Sequence, residues 1–215
     1  MNPHSYLIIG CGHFGSQAAE KLLRKDPRSK IIVIDKDKSA IKKVSDFEVE
    51  TTVSDGRLYL EQFLSEGRSV DYIIPAVPFH LAFEFILSQL KPLGGKRRKI
   101  PPLSGLPNPM IGRTGDLYTS LANFLCPEDC PEPAQYCFVT RKKRPKPLYQ
   151  ILKELEGAFE SRVIRSLQLG PGIGGFRPKA LLDLLEDIKR KKNSGQSILV
   201  STASRCHGVT SAFSF

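Results

Sequence analysis

The sequence predicts an α/β fold in which a parallel sheet with helices around it is followed by a smaller α/β unit. Three observations carry that prediction. Short apolar runs alternate with helical patterns over residues 5–90, a glycine-spaced loop joins the first run to the first helix, and strands and helices alternate again from residue 136.

Tyr6-Leu7-Ile8-Ile9 is a continuous apolar run, as expected of a strand buried on both faces. It runs into Gly10-Cys11-Gly12-His13-Phe14-Gly15, which fits G-x-G-x-x-G. Phe14, Ala18 and Leu22 then fall four residues apart, giving one apolar stripe on a helix. Ile31 to Ile34 forms a second buried strand that ends at Asp35. Ser39 to Val44 reads as a short helix, Val49 to Val53 as a strand, and Leu58 to Ser65 as a helix. Asp71 to Val77 is a fourth strand and Pro78 to Leu90 a fourth helix. A bare glycine motif is a weak signal. Strand, glycine loop, helix, strand and terminal acid at this spacing together predict a Rossmann-type dinucleotide site on residues 1–90.

Each part of that loop has a physical reason. Gly10 permits the tight turn, Gly12 lets the backbone approach a pyrophosphate, and Gly15 lets the helix pack against the strand. The free amides at the helix start, around His13 and Phe14, favour phosphate charge together with the helix dipole. Asp35 is placed to accept hydrogen bonds from both adenosine ribose hydroxyls and to repel a 2′-phosphate, so NAD is favoured over NADP. Lys36 and Lys38 soften that preference. Asp55, just past the third strand, stands where an adenine or ribose edge is met, and Ala76-Val77-Pro78 should line the cleft at the strand ends. The competing reading is that the glycines serve only a sharp turn. His13 lies near phosphate and is a poor proton-transfer group; His80 follows the fourth strand and can face the cleft.

YLIIGCGHFGSQAAEKLL, IIVIDKDKSAIKKV, Asp55-Gly56 and the strand ending IIPAV resemble the N-terminal NAD-binding domain of Trk-type potassium-uptake regulators, the RCK class. They are more loosely similar to the cofactor halves of saccharopine-dehydrogenase-like enzymes. The resemblance covers about residues 5–90. To the regulators it implies nucleotide-dependent conformational control, dimer formation and a membrane-transporter partner. To the enzymes it implies hydride transfer by an NAD-dependent oxidoreductase.

Lys91 to Gly115 is rich in proline, glycine and basic residues and reads as a long surface linker. Asp116 to Leu125 reads as a short helix capped by Asp116. Residues 116–215 then read as a cysteine-containing α/β domain of ferredoxin-like or doubly wound type. Its predicted elements are a strand at Tyr136–Thr140, a helix at Leu148–Phe159, a strand at Arg162–Leu169, a helix at Lys179–Lys191 and a strand at Ser197–Ala203. The glycine run Gly170 to Gly175, with Arg177, reads either as a flexible turn or as a loop closing over the nicotinamide end of a dinucleotide.

Cys126, Cys130 and Cys137 fall within fourteen residues, and Cys206-His207 supplies two further donors far along the chain. The C-x3-C-x6-C spacing matches no standard zinc or ferredoxin pattern. Proline after Cys126 and Cys130 fixes the turn at each. Three readings stay open: a zinc or iron–sulfur site completed by Cys206 or His207, a redox or catalytic thiol, and buried structural cysteines.

The net charge of +10 is unevenly shared: residues 1–90 carry eleven Lys/Arg against twelve Asp/Glu, and residues 91–215 carry twenty-one against ten. The basic clusters at Lys96–Lys99, Arg141–Arg144 and Lys189–Lys192 contain no stacking aromatic and read as solvated surface rather than a nucleic-acid interface. No apolar run approaches the ~20 residues that span a bilayer. The N-terminus lacks a signal-peptide pattern, so the expected address is cytoplasmic. An odd number of cysteines there argues for thiols or ligands over disulfides.

Overall fold

The computed structural model describes residues 3–144, 146–190 and 197–215. Lys191 and Lys192, which close the last basic cluster, lie outside the described residues.

The first half forms β1 (Ser5–Ile9), α1 (His13–Lys25), β2 (Lys30–Asp35), α2 (Lys38–Ile41), β3 (Glu50–Val53), α3 (Gly56–Ser65), β4 (Tyr72–Pro75) and α4 (Leu81–Leu90). Its four strands make a parallel sheet in the order β3-β2-β1-β4. The two-residue period of a strand divides the core. Tyr6 and Ile8 pack with Ala18, Ala19 and Leu22 of α1 on one face. Leu7 and Ile9 pack with Leu60 and Phe63 of α3 and with the apolar side chains of α4 on the other.

α4 is buried nearly all round: Leu81, Ala82, Phe83, Phe85, Ile86, Leu87 and Leu90 are inaccessible. A helix whose polar residues are confined to Glu84, Ser88 and Gln89 needs apolar partners around most of its circumference. The second partner is the C-terminal half, whose Leu181, Leu185, Ile198, Val200 and Phe213 belong to the same core cluster.

That half contains β5 (Lys96–Arg98), β6 (Met110–Ile111), β7 (Leu117–Ser120), α5 (Leu148–Lys153), β8 (Phe159–Arg165), β9 (Leu167–Gly170), β10 (Ile173–Gly175), α6 (Pro178–Arg190), β11 (Ser197–Ala203) and β12 (His207–Ser214). Its main sheet runs β6-β7-β12-β11-β8, and β5 also pairs with β12. Among the described residues of this sheet only β8 and β11 pair in parallel, across the helix α6. The α/β class is therefore as expected, but this strand order is neither ferredoxin-like nor doubly wound. The difference is β12, a strand absent from the sequence reading, which forms the centre of the sheet.

Several elements differ from expectation for local reasons. The stretch expected to be a helix from Asp116 is the strand β7, because Leu117 and Thr119 alternate inward with period two. Asp116 is buried and takes side-chain partners instead of capping a helix. Tyr136–Thr140 is a tight loop closed by a single bridge between Tyr136 and Lys143, not a strand. The helix beginning at Leu148 stops at Lys153, ahead of Gly157 and the start of β8. Within the expected linker, β5 and β6 are stitched into the sheet.

The glycine run folds as the antiparallel hairpin β9–β10. Phe176, just after it, exchanges backbone hydrogen bonds with Ile73 of β4 at 2.8 and 2.9 Å. The hairpin thus extends the edge of the first sheet.

Candidate functional site

The cleft at the carboxyl ends of β1 and β4 is built from three backbones in close contact. Gly10 has φ +101°, and a Cβ there would stand 2.3 Å from the Ala76 carbonyl oxygen. Ala76 N–H in turn donates to the Ile9 carbonyl at 2.7 Å. Gly15 lets α1 start directly over the loop, since a Cβ would stand 1.8 Å from the Gly10 carbonyl. Gly12 meets nothing within 4 Å, which leaves its face of the loop open. The α1 N-terminus has no side-chain cap, so the first amides there are free to receive an anion.

Asp35, at the end of β2, accepts a hydrogen bond from Cys11 N–H at 2.6 Å on one oxygen and from Asp37 N–H at 2.9 Å on the other. A carboxylate offers about four acceptor positions. Two are therefore used to fix its orientation, and the rest can meet a pair of vicinal hydroxyls. Lys36 is exposed beside it. Asp55 caps α3 by accepting from Leu58 N–H at 3.0 Å and stands exposed at the end of β3.

The C-terminal half closes the cleft. Phe14, Ala18, Ile74, Ala76, Pro78 and Gly174 line a cavity of about 440 Å³ between the glycine loop, β4 and the β9–β10 hairpin. Lys25 Nζ donates to the Leu169 carbonyl at 2.9 Å, which ties α1 to that hairpin. His13 and Gln17 hold the Glu128 carboxylate at 3.0 and 3.4 Å, bringing the cysteine segment against the start of α1. That bond keeps the Glu128 carboxyl below the usual range.

His80, expected to face the cleft, points away from it. Its Nδ1 meets Ser211 Oγ at 2.8 Å and its Nε2 meets Thr202 Oγ1 at 2.9 Å, both on the C-terminal sheet. Ser211 donates to Asp116, which also takes Thr114 and Arg97, and Arg97 continues to Glu84 on α4. Sequence reasoning missed this network because its members lie far apart in the chain. Burial pushes the His80 imidazole down to about 3, with Asp116 opposing and Arg97 assisting. An unfolded histidine titrates near 6.5. Between those values the unfolded chain carries a proton that the native state lacks. The stabilisation is therefore complete above about pH 6.5 and is lost on acidification, by roughly 1.4 kcal/mol per pH unit. Thermal unfolding midpoints should fall from pH 6.5 towards 4, and His80→Gln should flatten that slope.

The described members of the basic clusters are exposed apart from Arg97 and Arg144. Arg97 pairs with Asp116 and Glu84, while Arg144 is buried and donates to the Pro133 and Tyr136 carbonyls and to Cys206 Sγ. Cys126, Cys130, Cys137, Cys206 and His207 all line a second cavity, of about 850 Å³, which shares Phe14, Gly172 and Gly174 with the cleft. Burial pushes the Cys126 thiol up, and the neighbouring Cys130 and Cys137 add to the effect. Thr140 hydrogen-bonds to Cys137 and holds its thiol below the ordinary range. Among the described residues, no group of three or more His, Cys, Asp or Glu side chains is drawn together around one metal ion. The expected zinc or iron–sulfur site on these residues therefore finds no single-ion ligand group: Arg144 packs on Cys206, and His207 is exposed.

Comparison with known proteins gives two family matches along the chain. Residues 82–215 match the model of a family described as "Uncharacterized protein, C-terminal domain", which is more than half of the chain. The chain belongs to that family. Residues 6–66 match the TrkA-N domain, in agreement with the Trk-type resemblance of the glycine loop and β2. A relative from Archaeoglobus fulgidus (strain ATCC 49558 / DSM 4304 / JCM 9628 / NBRC 100126 / VC-16), named "Uncharacterized protein", is 30% identical over 221 residues. The match covers 96% of this chain and 97% of the relative, so both halves occur together there. Among the described residues no helix is long and apolar enough to cross a membrane.

Proposed function

We propose that this family member is an NAD(H)-binding regulatory protein in which the dinucleotide acts on the C-terminal half. The observation that carries this reading is that the wall of the glycine-loop cleft is made by the β9–β10 hairpin of the other half. Gly10, Gly12 and Gly15 would shape the loop, with the amides of His13 and Phe14 on the pyrophosphate. Asp35 would hold the adenosine ribose, Lys36 and Asp55 would flank it, and Ala76 would face the nicotinamide side.

The TrkA-N match supports a regulatory role for the dinucleotide, a dimeric assembly and a transporter as partner. The oxidoreductase reading gains no catalytic group here, since His80 is buried and turned to Ser211 and Thr202.

A regulator should bind NAD+ and NADH with different affinities and consume neither. Hydrogen exchange should slow in residues 167–176 when either is added. Protection confined to residues 6–66, or steady turnover of NADH without an added substrate, would remove this reading.

A further inference from the structure

The cysteines do not line the dinucleotide cleft itself, yet their segment is anchored at several points. Glu132 accepts from Ser204 Oγ and from Cys206 N–H, Leu121 N–H donates to the Cys206 carbonyl, and Arg144 bridges Cys206 to the Pro133 and Tyr136 carbonyls. These contacts bring residue 206, on the β11–β12 turn, to a segment some seventy residues earlier. The result is one cavity of about 850 Å³ lined by four of the five cysteines of the chain.

We propose that this cavity holds an iron–sulfur cluster on the thiolates of Cys126, Cys130, Cys137 and Cys206. A four-thiolate zinc ion gathers its sulfurs tetrahedrally about one point. A cluster interposes several irons and inorganic sulfides, so its four thiolates stand farther apart. Four cysteines around a cavity of about 850 Å³, with room for irons and sulfides between them, fit the second arrangement.

The charge balance agrees. Four thiolates around a cluster leave net negative charge, and Lys142, Lys143 and Arg144 line the same wall. The two carboxylates nearby are turned to other partners: Glu128 to His13 and Gln17, Glu132 to Ser204 and the Cys206 amide. Arg144 donates to Cys206 Sγ and Thr140 hydrogen-bonds to Cys137, the kind of contact that orients thiolate ligands and sets cluster potential. Leu121 and Phe138 add an apolar wall.

The proposal is independent of the dinucleotide reading, because its test needs no nucleotide. The full chain would be purified without oxygen and assayed for iron, acid-labile sulfide and zinc, before and after reconstitution with ferrous iron and sulfide. Iron and sulfide in equal amounts, with a broad visible absorption bleached by dithionite, are expected. Both should be lost in Cys137→Ser and in Cys206→Ser while a cooperative thermal melt, which shows that the chain is folded, persists. Arg144→Gln should keep the iron and lower the reduction potential, since a positive charge beside the thiolates is removed. Zinc without labile sulfide, no metal even after reconstitution, or a cluster that survives both cysteine substitutions would overturn the proposal.

Discussion

Gly15→Ala should abolish dinucleotide binding and destabilise the chain by about 3 kcal/mol, roughly 6–12 °C in Tm for a protein of this size. The new methyl group would lie 1.8 Å from the Gly10 carbonyl oxygen, and that contact is with backbone, which cannot swing aside. Gly10 cannot retreat either, because its own Cα side faces the Ala76 carbonyl and Val77. The loop would have to open, moving α1 off β1. Gly12→Ala supplies the contrast. Its Cβ meets nothing within 4 Å, and its φ of −66° suits any residue. Folding should therefore be nearly unaffected while the methyl group obstructs the approach of a pyrophosphate. Calorimetric melting and NADH titration of the two variants separate the roles. A Gly12→Ala protein with unchanged affinity would remove the phosphate from this loop.

The second large effect is expected at Asp116. Its side chain is buried, and it accepts from Arg97 Nη1 at 2.9 Å as well as from Thr114 and Ser211. Burial works against its ionisation, but the hydrogen bonds from Ser211, Thr114 and Arg97 prevail and hold the carboxyl below its usual range. Removing one partner of a buried pair leaves the other uncompensated, at a typical cost of 3–5 kcal/mol. Asp116→Ala should reach the lower end of that range: Arg97 keeps Glu84, but Thr114 and Ser211 lose their acceptor together. Ser211 in turn holds His80, at the start of α4, so the loss should spread to the packing of α4 against β12. Because the carboxyl is depressed, its stabilisation is present above the ordinary carboxylate range and vanishes as pH falls through the folded value. Urea unfolding at pH 7 measures the effect. A change below about 1 kcal/mol would mean that the network is no more than a surface ion pair.

The first half of the fold was legible because its signals are local. Apolar runs of four residues, the glycine spacing and Asp35 all lie within thirty-five residues and depend on backbone geometry alone. The second half was less so, because its order depends on distant pairings. β12 reads HGVTSAFS, whose small polar residues carry no strand periodicity, yet Ser211, Thr210 and Ser201 are buried and hydrogen-bonded at the middle of the sheet. Their burial is tolerated because each hydroxyl finds a partner in another element. One available signal went unused: LAFEFILSQL has seven apolar residues in ten, spread too widely for one contact face, which already requires a second layer over α4. The cysteine segment was legible as an unusual cluster, but not the contact of Arg144 with Cys206, which lies sixty-two residues away in sequence.

The most direct test of the central claim is a calorimetric titration of the full chain and of Asp35→Ala with NADH and with NADPH. Saturable NADH binding is expected, with weaker binding of NADPH and at least a tenfold loss for NADH in the variant, equivalent to about 1.4 kcal/mol. That follows because the Asp35 carboxylate, oriented by the Cys11 and Asp37 amides, is the group set to hold the ribose hydroxyls. Absence of NADH binding, a preference for NADPH, or an unchanged affinity in Asp35→Ala would contradict it.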